Sequence, residues 1–358
     1  MAQALETWGW DDQWEALLSD SDQGQPARVT AHHRDRWILQ TVDGPHGARV
    51  TGPVPGDRMP ATGDWVIAEP GPYPSDPWTI NDVLTRRSAL TRGSAGDRQT
   101  EQVLAANVDR LWIVHGLDAR PNLRRLERYL AVGWESGASP EVVLTKSDLA
   151  AHLEESVGAA QEIAFGVPVW VVSVSDPKAL VGLRGSLEHG STVALVGPSG
   201  VGKSTLINLM AEAEVARTAE VRAGDRKGRH TTTMRELVRI HNGALLLDTP
   251  GLRELRVLTL DKGLGGAFPE IEDLAARCRF RDCQHGTEPG CAVLLAVEEG
   301  RLASDRLTSF RKLMAEAAFE RRRADPRLMA EVVAEHKTAM KTLKQHLKHQ
   351  RPRDHGST

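Results

Sequence analysis

Three short motifs lie along this chain in an order that ordinary nucleotide-binding domains do not use, and that order restricts the possible fold more than any other feature. Thr145-Lys146-Ser147-Asp148 comes first, Gly197-Pro198-Ser199-Gly200-Val201-Gly202-Lys203-Ser204-Thr205 second, and Asp248-Thr249-Pro250-Gly251 third. The second satisfies GxxxxGK[ST]; it follows the apolar run TVALV directly, and LINLM continues after it as a helix. A strand, loop and helix in that succession suit phosphate. Glycines let successive N–H groups point inward, the helix N-terminus favours an anion, Lys203 reaches the β and γ oxygens, and Ser204 can ligate magnesium. The third motif ends another apolar run, LLLD, about forty residues later. There Asp248 would hold magnesium through water and Gly251 would offer its N–H to a γ-phosphate.

The first motif reads the base. A carboxylate at Asp148 accepts from both N1–H and the exocyclic N2 amine of guanine, whereas adenine offers neither donor and leaves a buried acceptor unpaired. The stem of Lys146 would lie over the base, and a backbone N–H at Ser173-Val174, after the run VPVWVVS, could meet the guanine O6. In the usual order the base-reading tetrapeptide follows the phosphate loops, yet here Asp148 precedes Asp248 by 100 residues. The sequence therefore predicts a GTPase fold that is circularly permuted, with the base-reading strands first.

Between these motifs, RLWIVHG, PEVVLTK, VPVWVVSVS, TVALVGPSG and ALLLDTPG are continuous apolar runs ending in polar or Gly-rich loops, with helical patterns such as PNLRRLERYLAVGWE between them. Continuous apolar strands alternating with helices predict a parallel sheet covered on both faces. Upstream, RVTAHHRDRWILQTVDGPHGARVTG, GDWVIAEP and WTINDVL read as short strands separated by turns, which predicts a small antiparallel β-barrel of OB or SH3-like size. Trp37, Trp65 and Trp78 are expected in its core. Residues 86–102 are polar, Gly-bearing and aperiodic, and read as a linker. Beyond about residue 260 the pattern is mostly helical, broken at Pro326.

A chain of 358 residues suggests two or three domains. The expected boundaries are 1–100 for the N-terminal segment, barrel and linker, 101–260 for the permuted GTPase domain, and 261–358 for a helical domain with a basic tail. The formal net charge is -3 at pH 7, so no global field announces a polyanionic partner. No window reaches the roughly eighteen consecutive apolar residues needed to span a bilayer, and the N-terminus is acidic where a signal peptide would be basic. The expectation is a cytoplasmic protein without a membrane partner, and a monomer.

Between the phosphate loop and Asp248, GRHTTT (228–233) occupies the place of a nucleotide switch, with a threonine of Thr231–Thr233, taken as Thr232, as a further magnesium ligand. Lys203 and Asp248 are the expected catalytic groups. Leu252 stands where small GTPases carry a water-orienting glutamine, which leaves His230 as the candidate for that role.

Cys278, Cys283 and Cys291 are the only cysteines, and with His285 they read C-x4-C-x-H-x5-C. Four N/S ligands are what tetrahedral structural zinc needs, and a closed Cys3His set leaves no open position for catalysis; buried free thiols are the other reading of the same spacing. The C-terminal region carries Arg321, Arg322, Arg323, Lys337, Lys341, Lys344, Lys348, Arg351 and Arg353. That charge suits a solvated helical face or RNA phosphates, and its position next to a metal module with a barrel at the other end favours RNA.

AANVD, TKSD, GPSGVGKST, GRHTTT, DTPGLRE and CRFRDCQHGTEPGCAV together resemble the ribosome small-subunit-dependent GTPases of the RsgA (YjeQ) family over almost the whole chain. The resemblance implies an N-terminal OB domain, a central permuted GTPase and a C-terminal zinc domain with one structural zinc. It also implies magnesium with GTP, and action late in assembly of the small subunit, with the 30S particle, its 16S rRNA and GTP/GDP as partners. Two positions depart from the family pattern: Thr145 stands where Asn is frequent, and Ser173-Val174 replaces Ser-Ala. A P-loop ATPase or kinase with a zinc-stabilised substrate domain, and a nucleotide-switched RNA-binding protein with incidental hydrolysis, are the alternative expectations.

Overall fold

The computed structural model describes residues 2–19, 22–33, 36–51, 58–93, 101–213, 215, 235–248 and 263–324. Helices α1 (Ala2–Glu6) and α2 (Asp12–Glu15) precede five strands, β1 (Gln25–His33), β2 (Arg36–Thr41), β3 (Gly44–Val50), β4 (Trp65–Glu69) and β5 (Trp78–Val83). The strands pair in the order β1-β2-β3-β5-β4, and β4 returns to β1, so the sheet closes into a barrel. Only β3–β5 is parallel. Alternation decides the inside: along β2, Trp37, Leu39 and Thr41 are buried while Arg36 is exposed, and Trp37 and Leu39 fill the lumen with Val29, Val66, Trp78 and Ile80.

β4 breaks the alternation because both of its faces are covered. Val66 and Ala68 point into the barrel, while Trp65 and Ile67 pack outside it against Leu5, Trp10 and Trp14 of the N-terminal segment. Asp11 caps α2 by accepting from the Gln13 and Trp14 N–H groups, and Arg87 pairs with it at 2.5 Å.

The expected linker is partly a hairpin. β6 (Ala89–Gly93) pairs antiparallel with β7 (Glu101–Ala106). Leu90 and Leu104 are each 1% exposed and join the core beneath the next helix. Thr91, Arg92 and Gly93 after Leu90, and Glu101 and Gln102 at the start of β7, hid the strand period in the sequence; residues 94–100 lie outside the described residues.

From there strands and helices alternate: β8 (Arg110–Gly116), α3 (Leu123–Ser136), β9 (Ser139–Thr145), α4 (Leu153–Ile163), β10 (Val169–Val171), α5 (Pro177–Gly185), β11 (Thr192–Val196), α6 (Lys203–Ala211), β12 (Arg235–Arg239) and β13 (Leu245–Asp248). The sheet order is β10-β9-β8-β11-β13-β12. It is parallel throughout except at β12, which runs antiparallel to β13. Leu111, Ile113, Val142 and Leu144 bury one face beneath α3, while Trp112, Val114, Val143 and Leu195 bury the other with α5 and α6. Two-sided burial is why these strands read as continuous apolar runs.

β12 also pairs with β1 of the barrel, through Ala31↔Glu236 and His32↔Arg235. Arg28, 2% exposed, reinforces that junction by donating to the Trp8 and Asn107 carbonyls and to Thr192 Oγ1 at the start of β11.

The C-terminal region is helical: α7 (Gly263–Ala267), α8 (Pro269–Ala275), α9 (Ala292–Glu298) and α10 (Ser304–Ala324). Phe268, Ile271, Val293 and Leu307 share one apolar core with Leu126 and Leu130 of α3. Arg306 of α10 crosses that core, donating to Glu127 of α3 at 2.9 Å, to Glu270 of α8 at 2.6 Å and to the Ala267 carbonyl at 2.7 Å. Among the described residues no helix is long and apolar enough to cross a membrane.

Candidate functional site

The C-terminal ends of β8, β9, β11 and β13 converge, and every described residue of the three nucleotide motifs sits there. β11 runs into Gly197–Gly202, and α6 begins at Lys203. Gly197 has φ 150, and a Cβ on it would lie 2.3 Å from the Val114 carbonyl oxygen of β8, so only glycine lets the loop pass so close to the sheet. Gly200 and Gly202 take left-handed φ of 81 and 98. Lys203 folds its ammonium back across the loop, donating to the Gly197 and Pro198 carbonyls at 3.0 and 2.8 Å. Ser204 Oγ lies 3.4 Å from Asp248 Oδ2 at the end of β13. The hydroxyl and the carboxylate expected to hold magnesium are therefore side by side.

Thr145 ends β9, buried at 6% exposure. Its hydroxyl donates to the Val201 carbonyl of the phosphate loop at 2.5 Å and lies 3.2 Å from the His115 carbonyl of β8. Thr145 thus ties the strand that leads to Asp148 to the glycine-rich loop. Lys146 follows in the left-handed region at φ 57, and Ser147–Leu149 form a 3-10 turn. Lys146 Nζ pairs with Asp118 Oδ2 at 2.6 Å. That hydrogen bond holds the Asp118 carboxyl below the usual range.

Asp148 is fixed from the neighbouring loop. Ser173 Oγ donates to Asp148 Oδ1 and meets Ser175 Oγ at 2.6 Å. Ser147 N–H donates to the Val172 carbonyl at 3.4 Å. Sequence reasoning gave Ser173 only a backbone role and missed Asp118 and His115 altogether. His115 Nε2 accepts from the Asn122 N–H at 3.1 Å, and burial pushes its pKa below the ordinary value, with Arg125 adding to the shift. That acceptor bond requires the neutral ring. The parallel register Gly116↔Thr145 brings Asp118 and Lys146 together, and a single sequence does not display that register.

Thr232, His230, Gly251 and Leu252 lie outside the described residues, as do Pro326 and the basic tail from Lys337 onward.

A second centre lies beyond α8. The ligand atoms of Cys278, Cys283, His285 and Cys291 all fall within 4.8 Å of one another. Cys278 Sγ is 3.6 Å from His285 Nδ1 and 3.9 Å from Cys291 Sγ, and Cys291 Sγ is 3.5 Å from that nitrogen. Tetrahedral thiolate and imidazole bonds of about 2.3 and 2.0 Å imply edges of about 3.5–3.8 Å, so the donors fit a tetrahedral divalent metal. His285 takes φ 56, and Arg311 of α10 donates to its carbonyl. Burial lowers the His285 pKa, which favours the neutral ring that a ligand needs. Cys291 also caps α9, its sulfur accepting from the Leu294 N–H, so the metal site and the helix are built by the same residue.

A family model described as RsgA GTPase matches residues 83–258. The small ribosomal subunit biogenesis GTPase RsgA of Opitutus terrae is 42% identical over 337 residues, covering 90% of this chain and 92% of that one. Among solved structures, the crystal structure of YjeQ from Thermotoga maritima matches with a TM-score of 0.61 at 24% identity, covering 82% of this chain and 98% of the other. YloQ, described as a circularly permuted GTPase, matches with a TM-score of 0.57 at 22% identity, covering 84% and 98%. These two structures bear on the fold, and in it the strand bearing Asp148 precedes the strand bearing the phosphate loop.

Proposed function

The chain belongs to the RsgA GTPase family and is a GTP-hydrolysing enzyme, and from that premise we propose that it binds the 30S ribosomal subunit through 16S rRNA, acts late in its maturation, and turns GTP over faster when bound. The observation that carries the reading is the joined base and phosphate site, in which Thr145 bridges to the Val201 carbonyl and Ser173 holds Asp148. A guanine reader coupled this directly to the phosphate loop senses the whole nucleotide as one ligand. The relative from Opitutus terrae, named for small ribosomal subunit biogenesis, supports the choice of partner.

In this reading Asp148 accepts from guanine N1–H and N2, with Thr145, Lys146 and Ser147 framing it and the Lys146 stem against the base. Gly197, Pro198, Ser199, Gly200, Val201, Gly202 and Thr205 line the phosphates, and Lys203 stabilises charge on the transferred phosphoryl group. Ser204 and Asp248, with Thr232 and Gly251, would hold magnesium and the γ-phosphate, and the metal supplies charge neutralisation there. Cys278, Cys283, His285 and Cys291 hold one structural zinc, which fixes the loop between α8 and α9. The protein acts as a cytoplasmic monomer.

Nucleotide selection tests the base site. Asp148→Asn replaces a double acceptor by a group that also donates, and its amide then matches the O2 carbonyl of xanthine. GTP affinity is expected to fall at least about a hundredfold while XTP affinity rises. Undiminished GTP preference in the folded variant would remove Asp148 from base recognition, and a preference for ATP over GTP in the wild-type protein, unaltered by the substitution, would favour an ATPase or kinase instead.

A further inference from the structure

We infer that the cleft between α3 and α10 is a docking surface for the phosphodiester backbone of RNA, an inference that rests on the proposed action at the ribosomal subunit. The cleft, of about 330 Å³, is bordered by Arg124, Arg125 and Arg128 from α3 and by Ser309, Lys312 and Glu316 from α10. Its charges do not balance internally. Glu127, which also lines it, is engaged by Arg306 at 2.9 Å, and Glu316 pairs with Arg128 at 3.1 Å. The side chains of Arg124, Arg125 and Lys312 have no ion pair and no hydrogen bond among the described residues. Three uncompensated cations therefore face one opening, on a chain whose formal net charge is -3.

Position sharpens the argument. Arg124 and Arg125 sit in the first turn of α3, which has no acidic residue, and peptide dipoles disfavour cations there. A bound anion would offset that repulsion. The cations stand on two different helices, so a row of anions satisfies them better than a single phosphate does, and a nucleic-acid backbone is such a row. No aromatic ring is exposed in the cleft, since Tyr129 is buried, so base stacking has no platform and the recognition is of backbone rather than sequence. The cleft also joins α3 of the nucleotide-binding sheet to α10 beside the cysteine cluster. A strand of RNA seated in it would touch both, at the end of α3 that follows the loop carrying Asp118.

The experiment uses full-length protein with Arg124→Ala, Arg125→Ala and Lys312→Ala combined, titrated against 30S subunits and against protein-free 16S rRNA across a range of KCl concentrations. Both affinities are expected to fall at least about tenfold, and the slope of log K against log salt to shrink by about two to three. GTP affinity without RNA and metal content should be unchanged. A second variant, Arg124→Lys, Arg125→Lys and Lys312→Arg, keeps the charges and should retain most of the binding. Wild-type affinity and slope in the alanine variant would overturn the inference. Weakened binding to subunits with unchanged binding to bare rRNA would overturn it in favour of a ribosomal protein at the cleft. Should the triple variant misfold, Lys312→Glu alone, at an exposed position, should weaken rRNA binding about fivefold, and no change would overturn the inference. Failure of the wild-type protein to bind subunits would instead remove the functional reading on which it stands.

Discussion

Thr145 joins two motifs that the sequence presents fifty residues apart, and its hydroxyl donates to the Val201 carbonyl inside the phosphate loop. Thr145→Val keeps the volume and deletes the donor, leaving a buried carbonyl unsatisfied. GTP and GDP affinities, measured by calorimetry, should fall together by about five- to thirtyfold; a loss confined to GTP would place the hydroxyl's effect at the γ-phosphate instead. His115 supplies one pH dependence. Its folded pKa is depressed by burial, so as pH falls through its ordinary value of about 6.5 the unfolded chain gains a proton that the folded chain does not. Stability is retained above that value and lost below it, by up to about 1.4 kcal/mol per pH unit. Urea midpoints of wild type and His115→Gln over that range should diverge, with the variant shallower, and parallel curves would contradict this. At this scale the local motifs were legible and their partners were not. Asp148 and Lys203 announce themselves by neighbours in sequence, whereas Asp118, His115 and the Ser173 hydroxyl act on groups delivered by parallel strand register.

At the scale of elements, the β8–β9–β10–β11–β13 core was readable because two-sided burial makes each strand an uninterrupted apolar run. β6 and β7 were not, since β6 buries only Leu90 deeply before Thr91, Arg92 and Gly93, and the short apolar end of β7 follows Glu101 and Gln102, which leaves no alternation to read. β12 was missed for a related reason: RELVR follows a long polar stretch and alternates over only five residues. The cysteine loop was legible from spacing, and its edge lengths now match a tetrahedral metal. Cys291→Ser should abolish stoichiometric zinc in metal analysis and, because the same sulfur caps α9, make the α8–α9 segment protease-sensitive; full zinc retention would remove Cys291 from the ligand set. The Arg306 hub makes a separate demand. Arg306→Leu leaves Glu127 buried without its cation and should cost about 3–5 kcal/mol in chemical denaturation, while adding Glu127→Leu should recover much of that loss. An additive double variant would show that the pair is not coupled.

The whole molecule is held together by junctions that run through the nucleotide-binding sheet. Strand β12 pairs with the barrel, Arg28 reaches from the barrel to the first residue of β11, and α3 shares its core with the C-terminal helices. Circular permutation makes this arrangement possible. Because the strand bearing Asp148 comes first, the chain leaving β13 at Asp248 proceeds to the cysteine module, and in the proposed reading a partner that grips the module acts on the nucleotide site through that connection. In the proposed reading Lys203, Ser204 and Asp248 stabilise charge, while the sequence has Leu252 in place of a water-orienting glutamine, so hydrolysis should await ordering by a partner. The direct test is GTP turnover by purified protein with and without saturating 30S subunits, at fixed magnesium. The account predicts a slow intrinsic rate that rises by at least about tenfold when subunits are added, and an unchanged rate in a preparation shown to bind subunits would contradict it.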